Sequence, residues 1–255
     1  MKLRNALLAV SLVAAAAPLS AAPEEVFEKA YSMEGVSKIQ VENVNGHIEA
    51  TAWDKPYFKL RAVKRAEGGR AEDTLKLTEI RVSKVGESIK VETINPKRRR
   101  LFGFLDFGGS NAHVDYTLQI PARAEVRLET CNGKVAATGF TGNLSSDAVN
   151  GSIELADQEG PASATTVNGN VRVSFKGPLK KSRIETVNGN IDVGFEKSSS
   201  VRYDLSTVNG RIESDDVGLS VEGKFGPKEA RGSFNGGAET LQCETVNGTI
   251  RLRAR

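Results

Sequence analysis

Two histidines are the only imidazoles in the chain, so a zinc site or a catalytic triad that needs histidine would have to use them. His47 directly follows an Asn-Gly turn, at a position where other copies of the same motif carry Lys, Ser, Asn, Arg or Thr. A position that accepts all of these side chains indicates a solvent-exposed turn. With His113 alone remaining, the sequence predicts no metal site and no histidine-based catalytic residue.

Neighbouring carboxylates are the next candidates, because two acids can bind a cation or share the acid and base roles of glycosidic cleavage. The only Asp-Asp pair is Asp215-Asp216, within the segment 214–218. Its Ser, Asp and Gly residues are typical of a solvated turn between strands. The sequence contains neither a phosphate-binding Walker loop nor the Asp-rich nonapeptides of calcium-binding coils. It therefore predicts no catalytic residue and no cofactor.

A basic run beside aromatic residues is the clearest sequence signal for binding. Four consecutive bases precede three of the ten Phe residues, in the order Lys97, Arg98, Arg99, Arg100, Phe102, Phe104 and Phe107. Such a run can contact an anionic membrane interface or an acidic partner. Alternatively, the Phe side chains fold back and cap the end of the fold. We expect 97–107 to be an interaction loop, since the sequence shows no matching acidic cluster nearby.

The elements that would position these residues are built from a short sequence motif that repeats along the chain. Val-Asn-Gly occurs six times, and Cys131-Asn132-Gly133 is a seventh, degenerate copy. From Asn132 the motif asparagines are separated by 18, 18, 20, 21 and 38 residues, the last step being about two repeats with one motif lost. A period near twenty indicates a solenoid, because such a short unit cannot bury its own apolar face. The motif asparagines are Asn45, Asn132, Asn150, Asn168, Asn188, Asn209 and Asn247.

Each repeat reads as a strand, an Asn-Gly turn and a second strand. Apolar and charged residues alternate along 183–193, which is typical of half-buried strands. Asn-Gly could close a hairpin or turn a corner between parallel strands, with the Asn side chains laddered along the stack. A second turn signal in each period favours the corner. We therefore expect the asparagines to form a structural turn ladder rather than a sugar-binding surface, with successive Cα atoms within about 8 Å.

These observations predict an all-β fold, a parallel β-solenoid of about 18–21-residue repeats. Residues 126–255 carry the regular repeats, and residues 36–125 form an irregular part with longer insertions. One short helix is expected between Arg70 and Thr78. We expect residues 23–255 to form a single domain.

Residues 1–22 have the order of a secretory signal peptide. Lys2 and Arg4 precede an apolar run from Ala6 to Ala17, and small residues follow. This predicts an exported protein, located in the periplasm, on the outer surface or in the medium. The chain has 35 basic and 32 acidic residues, a near balance that gives no reason to expect a nucleic-acid partner.

The two cysteines, Cys131 and Cys243, invite a disulfide in an exported protein. Both align with positions that look like inward core sites of other repeats. In a stacked solenoid those sites lie several strand spacings apart, beyond the reach of a disulfide. We expect two unpaired, buried thiols.

Several segments resemble the DUF4097 family: Val44–Ile48, the tripeptide Ala52-Trp53-Asp54, Leu118–Pro121 and the Thr-Val-Asn-Gly-Asn-Ile repeats. The resemblance covers nearly all of residues 36–255. It implies an exported bacterial protein of adhesin type with a parallel β-solenoid fold, no known catalytic residues, and an envelope or surface location.

The function predicted from these arguments is that of an exported cell-envelope protein without enzymatic activity, an adhesin or interaction module with an extended surface. Its partner could be an envelope protein, a glycan or an anionic membrane surface. One alternative is an accessory protein of envelope-stress signalling that binds a membrane partner through 97–107. A second alternative is a carbohydrate-active β-helix enzyme, which would need several charged groups converging on adjacent coils.

Overall fold

The computed structural model describes residues 23–94, 112–223 and 226–255. The predicted signal peptide, residues 1–22, and the predicted interaction loop, residues 97–107, lie outside the described residues. No helix in the described part of the chain is long and apolar enough to cross a membrane.

Twenty strands and one helix make up the described fold, and the strands form two ten-stranded sheets. The elements of the N-terminal part are β1 (Glu24–Ser32), β2 (Lys38–Asn45), β3 (Ile48–Trp53), β4 (Tyr57–Arg65), α1 (Ala71–Leu77), β5 (Glu79–Val85), β6 (Ser88–Ile94) and β7 (His113–Pro121). The repeats contain β8 (Glu125–Asn132), β9 (Val135–Thr138), β10 (Leu144–Asn150), β11 (Ile153–Gln158), β12 (Ala162–Asn168), β13 (Val171–Phe175), β14 (Ser182–Asn188), β15 (Ile191–Phe195), β16 (Val201–Asn209), β17 (Ile212–Asp215), β18 (Lys228–Phe234), β19 (Glu239–Asn247) and β20 (Ile250–Ala254).

Each coil of the solenoid contributes one strand to each sheet. Sheet 1 has the order β1-β4-β7-β3-β9-β11-β13-β15-β20-β17, and sheet 2 has the order β18-β16-β19-β14-β12-β10-β8-β2-β6-β5. The strand before an Asn-Gly lies in sheet 2 and the strand after it lies in sheet 1. The motif therefore turns a corner between two sheets and closes no hairpin, which confirms the predicted parallel solenoid.

The core lies between the two sheets and is built mainly by alternation along each strand. In β14 of the repeat 182–195, Ile184 and Thr186 are buried and their neighbours reach solvent. In β15, Ile191 and Val193 are buried on either side of Asp192, and the strand ends with the buried Gly194 and Phe195. One contiguous cluster of buried apolar residues extends from the first coil to the last. Burying an Ile or Val side chain contributes about 1.5–3 kcal/mol, so stacking supplies the stability that no single repeat has.

The order of the coils departs from the order of the chain. β19 lies between β14 and β16, and β20 lies between β15 and β17. Asn247 therefore neighbours both Asn188 and Asn209, and the expectation that Asn209 stacks on Asn188 is wrong. The interpretation of the 38-residue step as a lost repeat is also wrong. Those residues contain β17 and β18, and β18 runs antiparallel to β16 at the end of sheet 2.

The irregular N-terminal part closes the other end of the solenoid with antiparallel strands. β1 pairs with β4 and β4 with β7 in sheet 1, and β5 pairs with β6 in sheet 2. Helix α1 lies within the span where a helix was predicted. The buried Lys64 of β4 holds helix α1 in place. The Lys64 Nζ donates to the carbonyls of Leu75 and Thr78 and pairs with Glu25.

Both cysteines are free, as predicted, but only Cys243 is buried. Cys131 is exposed, so the expectation of two buried thiols is wrong. The inward positions of β8 are Val126, Leu128 and Thr130, and strand alternation then points residue 131 outward. The motif residue before each Asn belongs to the outer surface, not to the core.

Candidate functional site

The corner of the solenoid carries a continuous ladder of asparagine side chains. In every neighbouring pair of coils, the Nδ2 of one Asn donates to the Oδ1 of the next over 2.7–3.0 Å. The structure places all seven predicted asparagines in this ladder, in the order Asn45, Asn132, Asn150, Asn168, Asn188, Asn247 and Asn209. An amide has both a donor and an acceptor, so it can repeat this contact without a break.

A second set of contacts lies just inside the asparagine ladder. The Thr two positions before a motif Asn donates from Oγ1 to the Gly carbonyl of an adjacent coil over 2.9–3.2 Å. The threonines are Thr130, Thr166, Thr186, Thr207 and Thr245. These bonds satisfy a carbonyl that the sheet ladders leave free at the corner.

The motif glycines are required by the close approach of successive corners. A Cβ on Gly151 would lie 1.8 Å from the carbonyl oxygen of Gly133, and one on Gly169 would lie 2.1 Å from that of Gly151. Backbone therefore contacts backbone along the ladder, and any side chain would push the coils apart.

The residue before each Asn forms an outward apolar column that we call the valine stripe. Its fully repeated members, Val149, Val167, Val187, Val246 and Val208, are 38–43% exposed. Val44 and Cys131 occupy the same column in β2 and β8. The stripe runs beside the asparagine ladder over seven neighbouring strands of sheet 2. The sequence analysis did not identify this stripe. The signal was present in the sequence, because the Thr before each Val points inward and strand alternation then places the Val outward.

Sheet 1 carries a ladder of alternating charges on its outer face. Glu154, Arg172, Asp192, Arg251 and Glu213 are paired in register across β11, β13, β15, β20 and β17. The charge alternates along the first three of these strands. The alternation continues over five strands because β20 inserts Arg251 between two acids.

The charge ladder lines a shallow groove of about 690 Å³. The Lys134 Nζ lies 2.6 Å from a Glu154 carboxylate oxygen, and Arg253 lies 3.0 Å from Asp192. The hydrogen bond from Lys134 lowers the pKa of Glu154 against the effect of its partial burial. These carboxylates are compensated by neighbouring bases, so the groove has the character of a solvated ion-pair surface.

The structure brings His47, His113 and Asp115 together at the first corner, with candidate ligand atoms within 4.8 Å of one another. Asp115 Oδ1 accepts from the backbone N–H of His47 over 2.8 Å and lies 3.0 Å from His113 Nε2. Arg65 donates to the other carboxylate oxygen over 2.6 Å. Burial raises the pKa of Asp115, but the bond from His47 and the charges of His113 and Arg65 outweigh it, so the pKa is lowered.

Two histidines and a carboxylate are suitable zinc ligands, but these atoms already have other partners. His47 Nδ1 accepts the backbone N–H of Lys134 over 2.8 Å, so its ring proton is on Nε2. A metal-bound histidine normally donates from its second nitrogen, which is the reverse of this arrangement. Both oxygens of Asp115 are hydrogen bonded and lie beside Arg65.

These contacts instead form a third corner ladder, built from the residue that follows the Asn-Gly. Where this residue has an acceptor, its side chain accepts the backbone N–H of the same position in the next coil, as Asn170 accepts from Asn190 and Asn190 from Thr249. Lys134 and Arg211 have no acceptor and interrupt the series. Asp115 and His47 begin this series. The sequence could not show it, because the register of β3 against β7 is what brings His47 to Asp115.

The Asp215-Asp216 pair lies at the end of β17 and in the turn after it. Asp216 has a φ of 63° and pairs with Lys197 over 3.2 Å, while Asp215 pairs with Arg253 over 3.4 Å. Each acid thus has its own basic neighbour, and the two side chains belong to a solvated turn.

A profile of the Toastrack DUF4097 family matches residues 29–253. The chain belongs to this family. The Toastrack match spans the regular repeats and most of the irregular N-terminal part, and all seven corners lie within it.

Three solved structures give the context of this Toastrack chain. It is similar to a "putative cell adhesion protein" from Clostridium sporogenes, with 14% identity over 91% of this chain and 100% of that one and a TM-score of 0.48. It is also similar to a "putative adhesin" from Bacteroides fragilis, with 13% identity over 89% and 97% of the chains and a TM-score of 0.34. A "putative lipid binding protein" from Parabacteroides distasonis shows 13% identity over 90% and 96%, with a TM-score of 0.32. No curated protein matches this Toastrack chain.

Proposed function

We propose that this protein is exported and works in the cell envelope as a non-enzymatic adhesion or interaction module. The observation that carries the proposal is the valine stripe beside the asparagine ladder. Together they make a continuous surface in which apolar side chains and amides repeat at the spacing of strands, about 4.8 Å.

Exposed apolar residues are ordinary when scattered singly, but a contiguous column of them marks an interaction site. Here the column is held rigidly, since asparagine contacts connect all seven corners and threonine contacts fix five of them. A rigid site needs little ordering on binding, so more of the contact energy appears as affinity. Amides beside the stripe add donors and acceptors suited to sugar hydroxyls or to peptide groups.

The proposed location rests on the sequence of residues 1–22, whose charged, apolar and small residues follow the order of a signal peptide. The proposed lack of enzymatic activity rests on the pairing of the candidate groups. Each candidate carboxylate contacts a basic side chain; these carboxylates are Asp215, Asp216, Glu154 and Asp192. Glycoside hydrolysis requires an acid and a base that face the same site and are free to exchange protons, and these four paired carboxylates do not supply them.

The test is binding of the mature protein to three probes: a glycan array, isolated peptidoglycan, and vesicles of phosphatidylethanolamine and phosphatidylglycerol. A variant with Val167→Thr, Val187→Thr and Val246→Thr removes apolar surface but keeps β-branched side chains suited to strands. We expect at least one probe to bind the native protein, and the variant to bind it about tenfold more weakly, a loss of about 1.4 kcal/mol.

The matched control changes three exposed apolar residues outside the stripe, Val26→Thr, Leu77→Thr and Val85→Thr. This control should bind as the native protein does. Equal binding by the two variants, or no binding of the native protein to any probe, contradicts the proposal.

A further inference from the structure

The groove on the outer face of sheet 1 contains more bases than acids, and we call it the basic groove. Its five bases are Lys134, Arg172, Arg211, Arg251 and Arg253, and its three acids are Glu154, Asp192 and Glu213. Lys134, Arg251 and Arg253 each lie 2.6–3.0 Å from one of these carboxylates. Arg172 and Arg211 are exposed and form no ion pair with any described residue. The basic groove therefore keeps two positive charges without a carboxylate in contact.

The two unpaired arginines face carboxylates that other bases already hold. Arg172 lies in register between Glu154 and Asp192, and both of these acids have the partners given above. Arg211 precedes Glu213 by two residues on the same face of the sheet, and the carboxylate of Glu213 is likewise occupied. A guanidinium presents its N–H donors in a planar fork that fits a carboxylate. Each of the two exposed arginines can therefore bind an anionic group from outside the chain.

A row of hydrogen-bond donors runs along the corner side of the basic groove. It belongs to the third corner ladder, in which side-chain oxygens of Ser152, Asn170 and Asn190 accept backbone N–H groups of the next coil. These bonds use the amide oxygens of Asn170 and Asn190, whereas their NH₂ groups point to no acceptor in the described part of the chain. An amide whose oxygen is engaged offers donors to a ligand. A ligand along this row must therefore supply acceptors.

The spacing of these groups requires a long ligand. The basic groove extends from Lys134, just before β9, to Arg211, just before β17, and this is five strand spacings, about 24 Å. Arg172 and Arg211 are three strand spacings apart along the stack, about 14 Å. A single small anion cannot contact both arginines. A ligand that does so is an extended chain with several anionic groups.

The hydrogen-bonding capacity of the groove favours a sugar chain over a peptide chain. An extended peptide brings a backbone N–H donor at each residue, and the donor row has no acceptor for it. Sugar hydroxyls and ring oxygens can accept from the NH₂ groups of Asn170 and Asn190. The hydroxyls can also donate to the remaining lone pairs of the groove carboxylates, since a carboxylate has about four acceptor sites.

We propose that the basic groove binds an acidic polysaccharide, a linear chain of sugars that carries carboxylate groups. Arg172 and Arg211 bind carboxylates of the polysaccharide by charge-assisted hydrogen bonds, the stronger class, and the donor row binds its hydroxyls. The groove lies on sheet 1 and the valine stripe lies on sheet 2, so this inference does not rest on the proposed function.

The test uses polygalacturonate of chain length above about 24 Å, the length of the groove, titrated into the mature protein by isothermal calorimetry. Its methyl-esterified form is the matched neutral probe, because it has the same sugars without their charge. We expect the acid form to bind and the ester to bind about tenfold more weakly or less. In the variant Arg172→Gln with Arg211→Gln, binding of the acid form should fall about tenfold and depend less on salt, because two charged contacts are lost.

The matched control is Arg123→Gln with Arg202→Gln. These two exposed arginines lie outside the groove and also form no ion pair among the described residues, so the change in net charge is the same. The control should bind polygalacturonate as the native protein does. Circular dichroism checks that each variant stays folded.

A further variant tests the donor row. Asn190→Asp keeps an oxygen to accept the Thr249 N–H but replaces the NH₂ group by a charged oxygen, so binding of polygalacturonate should fall at least as far as in the arginine variant. Asn143→Asp, at an exposed position before β10, is the control for the added charge and should bind as the native protein does.

Four outcomes overturn the proposal. The first is no binding of polygalacturonate by the native protein, and the second is undiminished binding by the arginine variant. The third is equally tight binding of poly-L-glutamate, which would make an acidic peptide the ligand. The fourth is a loss of polygalacturonate binding in the variant of the valine stripe but not in the arginine variant, which would support the proposed function while removing the sugar chain from the basic groove.

Discussion

At the scale of single residues, the repeat motif is explained by three separate requirements at one corner. Asn supplies a donor and an acceptor to its two neighbours, Thr satisfies a glycine carbonyl, and Gly permits backbone contact. The roles of Asn and Gly could be expected from the sequence, because few other residues serve such a turn. The outward direction of Val and Cys131 could not be obtained from a motif match alone, since it depends on where alternation stops at the corner.

The glycine requirement gives a sharp prediction. In Gly169→Ala the new Cβ would lie 2.1 Å from the Gly151 carbonyl oxygen, and relief needs movement of two backbones. We expect a loss of about 3 kcal/mol or more in the free energy of unfolding, in the range of severe point mutations. Urea denaturation measures it. Gly218→Ala is the control, since a Cβ at that position would have no other atom within 4 Å, and a comparable loss there would contradict the argument.

The pKa of Asp115 predicts a dependence on pH. Its folded pKa is lowered, so its ionised form stabilises the fold above the ordinary value of about 3.9. That contribution is lost as the pH falls through the folded pKa. Asp115→Asn should cost about 1.5–3 kcal/mol at pH 7, as hydrogen bonds to a charged group do, and the difference from the native protein should shrink below pH 4. Urea titrations between neutral and acidic pH test this, and Asp54→Asn in an exposed turn is the control.

At the scale of elements, periodicity predicted the strands, the corner and the short helix, but not which coils are neighbours. Coils that share one motif offer the same contacts to a neighbour. The coil of Asn247 therefore fits beside Asn188 as well as the coil of Asn209 would. The path of the chain through β17 and β18 decides which coils become neighbours. Because β18 lacks the repeat motif, the sequence pattern does not show that path. The meeting of His47 with Asp115 was hidden for the same reason, because register is a tertiary property.

Lys64 shows how one residue connects three elements, β1, β4 and α1. Its buried ammonium reaches the Leu75 and Thr78 carbonyls and Glu25. Lys64→Met keeps the length of the side chain but removes these bonds, and leaves buried acceptors without a donor. We expect a loss of about 2–4 kcal/mol, with hydrogen exchange of α1 accelerated more than that of β12. Lys76→Met on the exposed face of α1 should change neither, and equal effects of the two substitutions would be evidence against this role.

At the scale of the whole molecule, antiparallel strands form three of the four sheet edges: β1 in sheet 1, and β5 and β18 in sheet 2. The fourth edge, β17, pairs in parallel with β20. β1 covers one edge of sheet 1 and presents mostly exposed residues, among them Glu24, Glu25, Glu28 and Lys29. Charged edges of this kind oppose pairing with other chains. The full stack then presents two different long faces, the charge ladder of sheet 1 and the valine stripe of sheet 2.

Removal of β1 tests the role of this edge. A mature protein without residues 23–32 exposes the hydrogen-bonding edge of β4, whose inward residues Phe58 and Leu60 are fully buried in the native chain. We expect concentration-dependent self-association in sedimentation velocity, whereas the native chain should show no such dependence. The variant Val26→Thr changes an exposed side chain of β1 but keeps the strand and its charges, and should behave as the native protein; a purely monomeric deletion variant would rule out an edge-protecting role.

The inserted position of β19 and β20 also bears on how the molecule is made. A solenoid whose coils stack in chain order can add each coil to a finished neighbour as synthesis proceeds. Here β16 has no partner on its inner side until β19, thirty residues later, has arrived. The coil of β19 and β20 therefore enters between two coils that precede it in the sequence, and residues 201–217 can join the stack of coils only after residues 239–254 have taken their place beside β14 and β15.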